Sequence, residues 1–134
     1  MSRRRGDQGS MAVEVVFMIP ILVLFMLLVV AGGRYVSVRA DMEAAARDAA
    51  RAASLERSSG AARTAANASA SAALEGFASC RMGGFDPDFR PGGSVTVTID
   101  CDVPNKGLGL LGLHGSLDMS ATGSAPLDTY RRTG

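Results

Sequence analysis

The chain has 134 residues, a formal net charge of +1, and 47% hydrophobic against 20% charged residues. This length allows one modest domain, or a membrane anchor joined to a small domain. Beyond Gly33 the acidic and basic residues balance, and aromatic residues make up only 5% of the chain. The sequence therefore lacks the basic stripe and the stacking platforms that indicate a nucleic-acid partner.

An uninterrupted apolar segment near the N-terminus predicts a membrane anchor. Residues 15–31 are all apolar, and residues 11–33 reach the length of about 20 residues that a helix needs to cross the hydrocarbon core. Pro20 removes one backbone N–H and predicts a bend in this helix, which is tolerated if a neighbouring helix covers it. Three arginines at residues 3–5 favour a cytoplasmic N-terminus, although basic residues also follow the anchor. A removable secretory signal is the weaker alternative, because the apolar run is long and no small-x-small cleavage site follows it.

The start of the anchor carries a recognisable motif. Gly9 and Ser10 follow the three arginines at residues 3–5, and Glu14 lies at the start of the apolar helix. This arrangement resembles the class III signal of type IV pilins, which a membrane-bound prepilin peptidase cuts just after the glycine. The resemblance implies a leader of residues 1–9, a mature N-terminus at Ser10, and a glutamate at the fifth mature position.

Two interpretations of Glu14 are possible. After cleavage, it would lie about one helical turn from the new ammonium group of Ser10. A carboxylate in lipid is costly unless it is paired, so the ammonium group of an adjacent subunit is its natural partner and would set the stagger between subunits. The alternative is a glutamate at the helix edge that reaches the lipid headgroups. The surrounding motif favours subunit pairing.

A second block extends the resemblance. Gly33 and Arg34 are followed by an alanine-rich, arginine-containing stretch at residues 44–53. Together with the motif at Gly9, this order is similar to the TadE-like family of the tight-adherence, or Flp-type, pilus system. The resemblance implies a minor pilin or pseudopilin that assists assembly of that pilus or a related secretion machine. Its implied partners are the membrane, the prepilin peptidase and other pilin-like subunits. The alternative is a membrane-tethered extracytoplasmic binding domain that does not assemble.

Helix-forming residues predict that the first helix continues to about Leu55. One of its faces is formed by small and apolar residues that pack on a partner helix or on an intramolecular core, namely Val38, Met42, Ala45, Ala49 and Ala52. A serine in the break at residues 58–60 is available as the N-cap of a second helix over about residues 61–77. Its predicted packed side consists of Ala62, Ala65, Ala66, Ala73, Leu74 and Phe77. A flexible Ala/Ser linker is the alternative.

The C-terminal part predicts a small antiparallel sheet. Residues 95–103 alternate strictly between apolar and polar, and residues 117–122 form a partner strand. The alternation turns Cys101 inward, where Cys80 could form a disulfide with it, and two buried free thiols are the alternative. The glycines, prolines and aspartates at residues 83–93 predict a loop and turn. The Leu/Gly-rich loop at residues 107–115 has no assigned role.

No catalytic or metal site is predicted. His114 is the only histidine, and the pairs Asp86/Asp88 and Asp100/Asp102 lack the further ligands or the base–nucleophile arrangement of a site. We therefore expect an α+β protein that is not an enzyme and has no cofactor and no small-molecule substrate. Its expected segments are the cytoplasmic leader 1–9, the pilin-like transmembrane and extended helix 10–57, and a small extracytoplasmic domain 58–134.

Overall fold

The structure, a computed structural model, describes residues 8–76, 79–104, 112 and 115–130, with side chains described from residue 11 onward. Two helices precede three strands, which confirms the predicted α+β class with a long N-terminal apolar helix. The elements are α1 (Gln8–Ser54), α2 (Ser59–Ala73), β1 (Cys80–Pro87), β2 (Ser94–Pro104) and β3 (Ser116–Pro126). The chain divides into two compact units, Met1–Tyr35 and Val36–Gly134.

The first unit contains the apolar part of α1. All side chains at residues 11–30 are exposed to the surroundings, including the large ones of Phe17 and Phe25. Pro20 lies inside the helix. Among the described residues, α1 is the one helix that is long and apolar enough to cross a membrane. An uncovered apolar surface of this kind suggests membrane insertion.

The second unit is built on a three-stranded antiparallel sheet in the order β1-β2-β3. The central strand β2 follows the alternation seen in the sequence, because Val95, Val97, Ile99 and Cys101 are buried while Thr98 and its polar neighbours lie on the other face. The predicted pair of strands is therefore present as β2 and β3. One face of the sheet is apolar, and the other is polar and open.

The apolar sheet face packs in one core with α2 and the C-terminal part of α1. Alanine dominates the helical side of this core, so the helix backbones come close to the sheet. Gly123 of β3 shows how close: a Cβ atom there would lie 2.5 Å from the carbonyl carbon of Ala46 in α1. The buried helix residues are Met42, Ala45, Ala46, Ala49, Ala50, Ala53, Ala62, Ala66, Ala70 and Leu74.

The two helices differ from their predictions in detail. On α1 the buried stripe includes Ala53, whereas Ala52 is only partly buried. The predicted N-cap is present, because the Oγ of Ser58 accepts a hydrogen bond from the Ala61 amide at 3.2 Å. The packed side of α2 repeats every four residues and ends at Leu74, with Ala73 exposed. The predicted contribution of Phe77 lies outside the described residues.

The prediction of a loop at residues 83–93 is wrong for its first half, because β1 extends to Pro87. Pairing with β2 stabilises this edge strand despite its glycines and terminal proline, residues that are tolerated at edges and bulges. Gly83 is the extra residue of a bulge, since Met82 pairs with Ile99 and Gly84 with Thr98. A side chain at Gly83 would overlap the Asp100 carboxylate.

Candidate functional site

The predicted processing motif lies in the first turn of α1. The helix begins at Gln8, so the backbone of Gly9 and Ser10 is helical. Their side chains and the arginines at residues 3–5 lie outside the described residues. Ser10 and Glu14 are four residues apart on the helix, which places them on the same face with a rise of about 6 Å between them. The spacing of the motif therefore puts the predicted mature N-terminus one turn from the carboxylate.

Glu14 is exposed on α1, between the apolar residues Val13 and Val15. Within the described part of the chain, its carboxylate has no hydrogen bond or ion pair. Because a carboxylate near the hydrocarbon needs a counter-charge or access to headgroups, its partner must come from the lipid surface, the N-terminus or another chain. This is the physical requirement that the pairing hypothesis for Glu14 meets.

The two cysteines face each other across β1 and β2. Cys80 is directly opposite Cys101 in the strand register, their Cα atoms are 4.1 Å apart, and the structure joins them in a disulfide. Cys101 is 3% exposed and turns toward the helices, as the alternation along β2 predicted. The bridge links strands that are already neighbours and closes the chain between them. This pairing fits a segment located in an oxidising compartment.

A groove of about 620 Å³ lies beside the disulfide, between α2 and β1. Its helical side is lined by Arg63, Asn67 and Ser71, and its strand side is formed by β1 at residues 80–82. This groove is not predicted from the sequence, because β1 was not predicted as a strand. The signal that could have indicated it is the four-residue spacing of the polar side chains on α2, which is typical of one helix face.

The exposed acids of the second unit do not form a metal site in the described part of the chain. Asp88 forms a pair with Arg90, whose Nε donates to Oδ1 at 2.8 Å and whose Nη2 donates to Oδ2 at 3.0 Å. These side-chain hydrogen bonds hold the pKa of Asp88 below its usual value. Asp100 and Asp102 lie on the open face of β2, where they were predicted.

The comparison with protein families supports the N-terminal interpretation. The family model described as TadE-like protein matches residues 9–51. No curated protein and no solved structure matches the chain. The match begins at Gly9 of the predicted processing motif and covers most of α1. Together with the candidate membrane helix, it supports a membrane protein associated with the Tad pilus. The chain thus carries a TadE-like segment over residues 9–51, which confirms the resemblance found in its sequence.

Proposed function

We propose that this chain is a TadE-like minor pilin or pseudopilin that assists assembly of a tight-adherence pilus or a related secretion machine. The observation that carries the proposal is the family match at residues 9–51, which spans the processing motif, the apolar segment and the alanine-rich end of α1. The apolar side chains exposed along residues 11–30 supply a surface suited to lipid and to neighbouring transmembrane helices.

In this proposal, the chain crosses the membrane once with its N-terminus in the cytoplasm. A prepilin peptidase removes residues 1–9 and leaves the ammonium group at Ser10. The C-terminal unit lies outside the cytoplasm, where an oxidising environment maintains the Cys80–Cys101 bridge. The arginines at residues 3–5 support this orientation, because positive charge is retained on the cytoplasmic side.

The proposed role is structural rather than enzymatic. A hydrolase of the envelope would need a nucleophile with a positioned base, and the sequence offers a single histidine and no such arrangement. In the proposed role, the chain acts through contacts between the helices of neighbouring subunits. The Glu14 carboxylate of one subunit pairs with the Ser10 ammonium group of its neighbour. This pair fixes the axial stagger of the two helices.

Substitutions at Glu14 test this role. Glu14→Ala removes the charge, Glu14→Gln keeps the shape without the charge, and Glu14→Asp keeps the charge but shortens its reach. In membranes that also contain the prepilin peptidase and pilin-like subunits, we expect crosslinking between subunits to fall for alanine and glutamine and to be intermediate for aspartate. Membrane insertion and cleavage should persist, because removing a charge only makes the anchor more apolar.

Glu43→Gln provides the matched control. Glu43 also lies on α1, but its carboxylate accepts a hydrogen bond from Arg39 Nε at 3.2 Å on the exposed surface of the second unit. Exposed pairs of this kind contribute little, so crosslinking should equal that of the parent chain. Equal crosslinking for the parent and all three Glu14 variants would show that Glu14 only reaches the headgroups, and the pairing mechanism would be abandoned.

A further inference from the structure

The outer edge of β3 carries backbone groups that have no partner strand. The bond from the Asp102 amide to the Ser79 carbonyl, at 2.8 Å, shows that the backbone groups of Asp102 point toward β1. Because successive residues of a strand point these groups in opposite directions, those of Cys101 point toward β3 and meet Met119 there. No other element of the described chain bonds to the outward groups of β3. By the same alternation, these outward groups belong to Asp118, Ser120, Thr122 and Ser124.

The β3 edge lacks the features that normally protect edge strands from further pairing. This strand has 11 residues, pairs with β2 in a continuous register, and contains no lysine, no arginine and no proline before Pro126. The other edge strand, β1, is shorter, is interrupted by the bulge at Gly83 and ends at Pro87. Of the two edges, β3 is therefore the one that can accept a further strand.

The open face next to this edge is negatively charged. Asp118 is directly opposite Asp102 in the register, both are exposed, and neither has an ion pair within the described part of the chain. Like charges that are directly opposite each other destabilise a strand pair. Asp100 and the basic Arg81, which lies on β1 at the far edge, line the same concavity of about 570 Å³. A basic residue on a strand added beside β3 would therefore supply the counter-charge that Asp118 lacks.

The two faces of an added strand would meet different surroundings. Leu117 lies on the core side of β3 and is 41% exposed, so an apolar residue beside it would cover this side chain. Residues on the other face would lie next to Asp118 and to the hydroxyl groups of Ser120 and Thr122. The outward groups from Asp118 to Ser124 span about 20 Å, the length of about seven extended residues. The edge thus suits a segment of that length in which apolar residues alternate with polar and basic ones.

We propose that the β3 edge binds an extended segment of a partner protein as a fourth strand, with lysine or arginine beside Asp118 and apolar residues toward the core. Main-chain hydrogen bonds supply the affinity, and the negative charge beside the edge selects a basic partner. A second copy of this chain is a poorer occupant, because pairing β3 with β3 brings no basic residue to Asp118. This inference concerns a ligand of the second unit and goes beyond the pilus-associated role of α1.

A peptide-binding experiment on the full chain in non-ionic detergent micelles tests the proposal. The probe is the fluorescein-labelled heptapeptide Val-Lys-Val-Thr-Val-Lys-Val, and fluorescence anisotropy measures its affinity. Its symmetric sequence can place a lysine beside Asp118 in either strand direction. A second peptide has glutamate in place of each lysine, and a third has proline at its fourth and fifth positions, which removes a main-chain donor in either direction. We expect saturable binding of the lysine peptide, and binding of both others that is weaker by about tenfold or more.

Variants of the sheet complete the experiment. Asp118→Asn should weaken binding of the lysine peptide by about threefold, as expected for the loss of one exposed ion pair. Thr122→Pro removes an N–H that points away from β2, so the pairing of β2 with β3 persists, while peptide binding should fall by about tenfold or more. Asp86→Asn removes the same charge from the open face of β1 and is the matched control, which should bind as the parent does. Hydrogen exchange at the amides of Ser120 and Thr122 should slow when the lysine peptide is bound, since a strand then covers this edge.

Three results would each overturn the proposal. One is no saturable binding of the lysine peptide at millimolar concentration. Another is an affinity for the glutamate or the proline peptide that equals the affinity for the lysine peptide, because charge or strand pairing would then play no part. The third is self-association of the free chain that Thr122→Pro abolishes, because the occupant would then be a second copy. None of these results depends on processing at Gly9, so the peptide site and the pilus role can fail separately.

Discussion

Replacing Gly123 with alanine should destabilise the second unit by about 1–3 kcal/mol, the usual cost of overpacking a close-packed core. A Cβ atom at this position would lie 2.5 Å from the carbonyl carbon of Ala46 and from the amide nitrogen of Arg47. Both atoms belong to the backbone of α1, so no side-chain rotation relieves the overlap and the helix must move away from the sheet. The gain from replacing a strand glycine, about 0.5–1 kcal/mol, is smaller.

Pulse proteolysis of the full chain in urea and detergent measures this effect. With a denaturant slope of about 1–3 kcal/mol per molar, the urea midpoint of the second unit should fall by about 1 M. Gly60→Ala is the matched control, because a Cβ atom at Gly60 meets no atom within 4 Å and alanine favours the helix. Its midpoint should be unchanged or slightly higher. A parental midpoint for Gly123→Ala would refute the close packing of α1 on β3.

Three further predictions use the same unfolding assay. Ser58→Ala should lower the free energy of unfolding by about 1 kcal/mol, because it removes the cap that is bonded to the Ala61 amide. An unchanged midpoint would exclude the cap. Ile99→Ala should lower the free energy of unfolding by about 2–5 kcal/mol, because this side chain is fully buried at the sheet centre. A loss below about 1 kcal/mol would contradict that burial. Reduction of the Cys80–Cys101 bridge should lower the free energy of unfolding by about 3 kcal/mol. Ready alkylation of both cysteines without reductant would disprove the bridge.

Local sequence determines the elements that were predicted. The apolar run around Pro20 and the alanines after it favour a helix whatever they pack against. The strict alternation from Val95 to Val103 identifies the buried face of β2 and turns Cys101 toward the core. The resemblance at Gly9 and Glu14 could also be recognised from local sequence, because a processing signal is a linear motif.

Tertiary contacts determine what was missed. The glycines of β1 and its terminal Pro87 favour a turn, and only pairing with β2 makes the segment a strand. The exposed position of Leu117 follows from its place near the start of β3, which the alternation alone did not reveal. The contact of Gly123 with Ala46 and the groove beside β1 bring together residues far apart in sequence, and no local pattern encodes them.

The mature N-terminus tests the central claim most directly. The chain is co-expressed with a matching prepilin peptidase, extracted from membranes and measured by intact mass, beside a Gly9→Val variant. We predict a parent chain that begins at Ser10 and a variant that stays uncut, because a branched side chain obstructs the peptidase at the cleavage site. A mature start beyond Ala31 would identify an ordinary secretory signal and contradict the pilin-like account.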